Sequence, residues 1–446
     1  MNGWVPATTQ VLAVAALLLA ASWQWRRCRR LFLPVTALVG AGVVIGVHWY
    51  LKSAGVEGQS APPREFWLWM GLSAAAVAVS IMGWPTARWW RRGLSLAAIP
   101  LCLLSGALAL NAWVGYFPTV QTAWNQLTAS PLPDQISPAT LAAMQRRRAL
   151  PARGAVIAVQ ISNAASRFRH RDEMVYLPPA WFATNPPPRL PAIIMIGGEF
   201  NTPADWLRAG SAVNTIDAFA NAHHGYAPVF IFVDSGGSFY NDTECVNGPH
   251  GNAADHLVKD VVPFLISRYG VSPERTRWGV VGWSMGGTCA LDLTVMHPDM
   301  FRAFVDIAGD YTPNSGTRQQ TIDRLFGGRA DEWSHYDPTT VITRHGRYTD
   351  VAGWFVLSGG PSSPQMVPST PTALDERAVA TNPGEQTAAA KLLCALGRAK
   401  GINCMITAQA GKHDWPFAAR AFATALPWVS ARIGTPHVSS ASVVTT

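Results

Sequence analysis

Gly282-Trp283-Ser284-Met285-Gly286 sets one serine between two glycines, each two residues away. The apolar run Trp278–Val281 leads into it, and a helix-forming stretch, Thr288–Met296, follows. A serine on a sharp strand-to-helix turn is held in a strained backbone conformation, and glycines at these two positions remove the Cβ atoms that would clash with it. Such a turn lifts Ser284 Oγ clear of the sheet. It also aims the Met285 amide and the helix N-terminus at the point where an oxyanion would form. The chemistry implied is nucleophilic attack on a carbonyl carbon. The bland reading is an incidental serine in a glycine-rich turn, and the strand before and helix after it favour the nucleophile.

A hydroxyl is a weak nucleophile at neutral pH and needs a base. His413, in Gly411-Lys412-His413-Asp414-Trp415-Pro416, lies between the last strand and the last helix, where the chain order serine, acid, histidine puts the base. His297 reads as the end of the helix after Ser284, His335 and His345 fall in an insertion, and His437 is in the tail. The acid is less determined. The loop after Trp354–Leu357 opens Ser358-Gly359-Gly360-Pro361, without a carboxylate. Glu385, at the start of a helix over Gln386–Lys400, is the first choice, with Asp375 and Glu376 as alternatives and Asp310 more remote. Asp414 reads as structural. A second oxyanion amide is expected at Glu199, in Gly197-Gly198-Glu199-Phe200, where glycines allow close backbone approach. Trp283, Trp415 and Phe200 would wall the site with apolar surface suited to an acyl chain. No metal and no cofactor is expected.

The elements that must position these residues are short apolar strands alternating with helices. Ala155–Ile161 and Glu173–Leu177 read as an opening hairpin. Strands follow at Ala192–Ile196, Pro228–Val233, Trp278–Val281, Ala303–Ile307, Trp354–Leu357 and Ile402–Thr407. Helices are expected near Ser211–His223, Ala253–Tyr269, Thr288–Met296, Gln386–Lys400 and Ala418–Val429. This alternation predicts a mostly parallel sheet covered on both faces. With a nucleophile elbow near the fifth main strand, it predicts an α/β-hydrolase over residues 151–435.

The first 120 residues differ. Four apolar runs, Val5–Trp25, Leu31–Leu51, Phe66–Trp84 and Leu94–Phe117, are each long enough to cross a bilayer core of ~30 Å as a helix. This region holds eight arginines and one lysine against two glutamates, so nearly all of the chain's net charge of +8 sits here. The remainder is close to neutral, which argues against a nucleic-acid partner. Arg26, Arg27, Arg29 and Arg30 follow the first run, and Arg88, Arg91 and Arg92 follow the third. Basic loops face the cytoplasm, so everything after Phe117 is expected outside the cytoplasmic membrane. The runs hold no carboxylate, which argues against a transporter. Residues 121–150, with the turn-rich Pro131–Pro138, read as a linker, and the tail from residue 436 as disordered.

The second part resembles the esterase-D-type hydrolases and, within them, the antigen 85 mycolyltransferases. The resemblance is carried by Gly198-Glu-Phe-Asn-Thr-Pro-Ala-Asp-Trp206, Asp234-Ser-Gly-Gly-Ser-Phe-Tyr-Asn-Asp242, the elbow with His297-Pro298 and Phe301, Asp337-Pro338, and the segment around His413. It implies a serine esterase or acyltransferase that acts on acyl esters or lipids, with the acid on the helix before the last strand. The family's carbohydrate-binding Asp and Arg are replaced by Gly197 and Phe200, which weakens the case for trehalose as acceptor. The four-span part resembles that of membrane-anchored actinobacterial members. A competing reading, a non-catalytic envelope binding protein on the same scaffold, rests on the missing carboxylate after Trp354–Leu357. Cys394 and Cys404 are expected to form a disulfide, since a helix folding back onto the next strand brings such positions together. Cys245 has no evident partner, and Cys289 reads as a small buried residue.

Overall fold

The computed structural model describes residues 3–54, 62–85, 87–128, 132 and 134–439, with the side chains of 22–31, 126 and 127 not described. The chain forms two compact units, Met1–Ala129 and Ser130–Thr446.

The first unit is helical: α1 (Trp4–Ala54), α2 (Arg64–Gly83) and α3 (Trp89–Val114). Among its described residues are four stretches long and apolar enough to cross a membrane, Trp4–Ala21, Phe32–Ser53, Arg64–Gly83 and Trp89–Val114. The backbone of α1 is helical from end to end, yet Ala20 and Phe32 pack in one cluster with Val79. In a straight helix those two residues would be ~18 Å apart at 1.5 Å per residue. Ala13 packs with Trp69, and Gly40 meets the Gly71 carbonyl, only two residues further along α2. The two halves of α1 therefore run in opposite directions along α2, as two spans would. A Cβ on Gly40 would lie 2.8 Å from Gly71 O, so a glycine is what permits the close approach. Ser73, Ser80 and Ser105 return their hydroxyls to carbonyls one turn back, which satisfies them inside apolar helices. Arg91 and Arg92 lie over the rings of Trp90 and Trp84. The side chains of Arg26–Arg30, residues 55–61 of the following loop and residues 440–446 of the tail lie outside what is described.

The second unit is built on a nine-stranded sheet. Its strands are β1 (Ala155–Val159), β2 (Glu173–Leu177), β3 (Ala192–Ile196), β4 (Val229–Val233), β5 (Trp278–Trp283), β6 (Ala303–Ile307), β7 (Ala352–Leu357), β8 (Gln365–Met366) and β9 (Asn403–Ala408). They lie in the order β1-β2-β4-β3-β5-β6-β7-β9-β8. The six from β4 to β9 are parallel, while the β1–β2 hairpin and the two-residue β8 close the edges antiparallel. Every residue of β3, β4, β5, β6 and β7 is buried, as continuous apolar strands covered on both faces must be. Helices α4 (Ala212–Ala222) and α8 (Trp415–Arg432) pack together on one face. Helices α6 (Met285–Met296) and α7 (Gln386–Ala399) lie on the other, on either side of the helix Pro338–Arg344. This is the α/β-hydrolase arrangement.

The element expected as one helix over Ala253–Tyr269 is divided. A wide-turn π segment, His256–Val261, precedes α5 (Val262–Tyr269). Pro263 has no N–H to give to the turn before it, and such segments accompany local irregularity of this kind. Cys394 and Cys404 are bridged, with Cα atoms 5.6 Å apart. Cys245 and Cys289 are bridged as well, at 5.8 Å, so Cys289 is not a free buried thiol and Cys245 has a partner after all. The bridge ties the loop after β4 to α6, a contact between residues 44 apart in sequence.

Candidate active site

Ser284 sits at the N-cap of α6 with φ 59° and ψ −127°, a region that side chains rarely occupy. The two flanking glycines are required by contact. A Cβ on Gly282 would lie 1.7 Å from Gly286 O, and one on Gly286 would lie 2.5 Å from the carbonyls of Ile196 and Gly197. The Ser284 N–H donates to Ile307 O at 2.9 Å, which pins the elbow to β6. Met285 is the first residue of α6, where an amide has no partner within the helix.

The structure places His413 Nε2 2.9 Å from Ser284 Oγ. His413 lies in the turn between β9 and α8. Asp414 holds that turn by capping α8 through a bond from the Phe417 N–H at 2.9 Å, so Asp414 is structural. Burial lowers the His413 pKa to about 4. Its ring stands 5.5 Å from Trp283, which lies 4.5 Å from Trp415. Trp415 is fully buried and packs edge-on to Trp206, so it offers no surface to a substrate. Trp283 is buried too, and the pair backs the imidazole instead of walling a pocket.

The partner on the far side of the imidazole is not Glu385. His413 Nδ1 lies 2.9 Å from the side-chain amide of Gln386, whose other end accepts from Ser358 Oγ at 3.3 Å. A primary amide can turn end for end and exchange its oxygen and nitrogen. With the oxygen toward Nδ1, Gln386 accepts the Nδ1 proton and leaves Nε2 free to receive one from Ser284. Glu385 caps α7 through its backbone, and its side chain makes no hydrogen bond among the described residues. One residue along a helix rotates a side chain by ~100°, so of these two neighbours only one faces the loop. Asp375 closes a capping box with Thr372 and pairs with Lys391 at 3.2 Å, and Glu376 is exposed. Asp310 is buried and bonded to Asn314. A search for a carboxylate passes over Gln386; the usable signal was its place in the first turn of the helix before the last strand.

Beside Met285 lies a small pocket lined by the loop Gly198–Asn201 and by Ser235, Ser238, Asn241 and Asp242. The Glu199 amide belongs to this loop and has no hydrogen-bond partner among the described residues. Phe200 lines the pocket, in left-handed backbone at φ 65°. Four carboxyls gather here. Burial, reinforced by Asp242 and Asp310, pushes Glu199 up to about 9. Burial likewise raises Asp242, and burial together with neighbouring carboxylates carries Glu244 and Asp310 well above the usual range. A carboxyl that stays protonated at neutral pH spares a developing oxyanion a like charge nearby.

Comparison with known proteins gives the class. The esterase family model matches residues 166–428, and the chain belongs to that family. An uncharacterised protein of Corynebacterium glutamicum is 29% identical over 291 residues, which cover 63% of this chain and 63% of that protein. Among solved structures, an S-formylglutathione hydrolase from Agrobacterium tumefaciens is 15% identical with a TM-score of 0.47, covering 63% of this chain and 95% of that one. MPT51 of Mycobacterium tuberculosis is 19% identical with a TM-score of 0.41, covering 62% of this chain and all of that one.

Proposed function

We propose that this protein is a membrane-anchored serine esterase or acyltransferase that acts on acyl esters of the cell envelope, with its hydrolase unit outside the cytoplasmic membrane. The observation that carries the reading is the 2.9 Å approach of His413 Nε2 to Ser284 Oγ at a strained elbow. Ser284 Oγ attacks the ester carbonyl carbon as its proton passes to His413 Nε2. The amides of Met285 and Glu199 receive the oxyanion. Collapse returns the proton to the departing alkoxide and leaves an acyl group on Ser284. Water as acceptor completes an esterase cycle, and an envelope hydroxyl completes a transfer. Gln386 acts as the neutral third member. It sets the imidazole tautomer but contributes less than a carboxylate to the imidazolium.

Labelling with a fluorophosphonate tests this directly. Wild type is expected to label at Ser284 and Ser284→Ala to remain unlabelled, whereas unlabelled folded wild type would sink the reading. That outcome would favour the second reading, a binding protein on an esterase scaffold, for which the absence of a charged third member speaks. The orientation rests on the arginines after the first and third apolar runs. A reporter active only in the cytoplasm, fused after Pro131, is expected to stay silent.

A further inference from the structure

The pocket beside Ser284 is assembled from two loops, one after β3 and one after β4. Each contains left-handed backbone, Phe200 in the first and Gly237, at φ 75°, in the second. At Phe200 such backbone is strained and keeps its shape only where neighbours over-determine it, while at Gly237 the missing Cβ permits it. Here one guanidinium reaches both loops. Arg171 Nη2 donates to the Asn201 carbonyl at 2.8 Å and to Asp234 Oδ1 at 2.6 Å, and Nε donates to Asp234 Oδ2 at 3.0 Å. The Arg171 backbone N–H donates to the same Oδ2 at 2.6 Å. Each end of this clamp passes the constraint on. Asn201 Oδ1 accepts the Gly198 N–H at 2.8 Å, next to the Glu199 amide. Asp234 Oδ1 accepts the N–H groups of Gly236 and Gly237 at 3.2 and 3.0 Å.

The clamp is braced from behind. Glu173 Oε1 accepts the Asp234 N–H at 3.2 Å and faces His256 Nε2 at 3.0 Å, and His256 Nδ1 faces Asp260 Oδ2 at 3.2 Å. His170, Glu173 and His256 together have the composition of a metal site. The two imidazoles, however, are stacked 4.2 Å apart and inclined by only 24°. Ring lone pairs lie in the ring plane, so rings stacked this way cannot both point at one ion. Both nitrogens of each ring face oxygen atoms, and the cluster serves as a hydrogen-bonded strut.

We propose that Arg171 is a positioning residue for acyl transfer: its single guanidinium sets the two pocket loops against each other, so that the Glu199 amide stands in place opposite that of Met285 before substrate arrives. The proposal rests on the catalytic reading above. The test uses the full chain, with kcat and KM on a p-nitrophenyl ester and the rate of fluorophosphonate labelling as readouts. Arg171→Ala is expected to lower kcat and the labelling rate together by ~10²-fold, the scale of a displaced oxyanion donor, with KM little changed. Arg171→Lys should recover only a small part, because an ammonium keeps the charge but loses the fork that reaches two loops. Arg153→Ala, which removes ion pairs to Asp134 and Asp217 and touches neither loop, should leave both rates unchanged. A folded Arg171→Ala protein with near-wild-type kcat and labelling, and only a lower melting temperature, would overturn the proposal. Should Arg171→Ala fail to fold, Arg171→Gln takes its place, since a side-chain amide keeps one donor but cannot span from Asp234 to the Asn201 carbonyl. A loss of ~10-fold or more in kcat supports the clamp and an unchanged kcat refutes it. If wild type neither turns over ester nor labels, the catalytic reading itself fails and this inference falls with it.

Discussion

Two imidazoles of the second unit are set in opposite surroundings. His256 is fully buried with Glu173 at one nitrogen and Asp260 at the other. Burial lowers its pKa, but the bonds and charges of those carboxylates outweigh that and hold it above the ordinary histidine value. His413 lies between a hydroxyl and a neutral amide, and burial, with nothing opposing it, takes its pKa to about 4. The contrast separates a charge that is kept from a charge that is made in passing. A brace gains from an imidazole whose charged form is favoured by a carboxylate at each nitrogen. A base must be neutral at rest to accept a proton, and His413 is neutral throughout the physiological range. In the proposed reaction, the neutral amide forgoes stabilisation of the imidazolium.

The largest effect should come from breaking the proposed catalytic pair. Ser284→Ala and His413→Ala are each expected to lower kcat by ~10⁴-fold or more in ester turnover. Breaking the other imidazole should act on stability. His256→Gln leaves two buried carboxylates facing a neutral group, and denaturant unfolding should register a loss of about 3–5 kcal/mol. The pH dependence gives the sign. The raised His256 pKa contributes stability that is complete below the ordinary histidine value and lost as pH rises through its folded value. The lowered His413 pKa does the reverse: its contribution is present above the ordinary value and lost as pH falls toward about 4. Melting temperatures across pH should therefore depart from wild type in opposite directions on the acid side: His256→Gln falls further below it, and His413→Ala gains on it as pH falls toward about 4.

Exchanging the surroundings sharpens the comparison. Gln386→Glu gives His413 the carboxylate that His256 already has, and it should move the acidic limb of kcat/KM upward from about 4 toward the ordinary histidine range. An unmoved limb would mean that Gln386 does not face the imidazole in the working enzyme. The smallest effect is expected at Glu199. Burial pushes its carboxyl up to about 9, so wild-type activity should decline as pH rises through that value and places a charge beside the oxyanion pocket. Glu199→Gln should remove this alkaline decline while changing the neutral-pH rate little.

Several features were legible without coordinates because their causes are local. The elbow glycines are required by atoms in the same turn or in the adjacent strand. The buried strands announce themselves as unbroken apolar runs, and they fall within a residue or two of where the sequence puts them. The serine and histidine that meet at 2.9 Å are the pair the sequence singles out, because each occupies a fixed place relative to its own strand. The bridge between Cys394 and Cys404 is likewise local, closing a helix onto the strand after it.

What composition and spacing determined, then, was the apolar first unit, the sheet-and-helix second unit and the serine and histidine that meet at the elbow. Tertiary structure alone decided which side chain stands behind the imidazole, that Cys245 reaches Cys289, and that Arg171 clamps Asp234 across 63 residues. The reason is common to all three. Each contact joins loops or helices whose neighbourhood is set by the order of strands in the sheet, and a one-residue rotation on α7 exchanges Glu385 for Gln386 without altering any local preference.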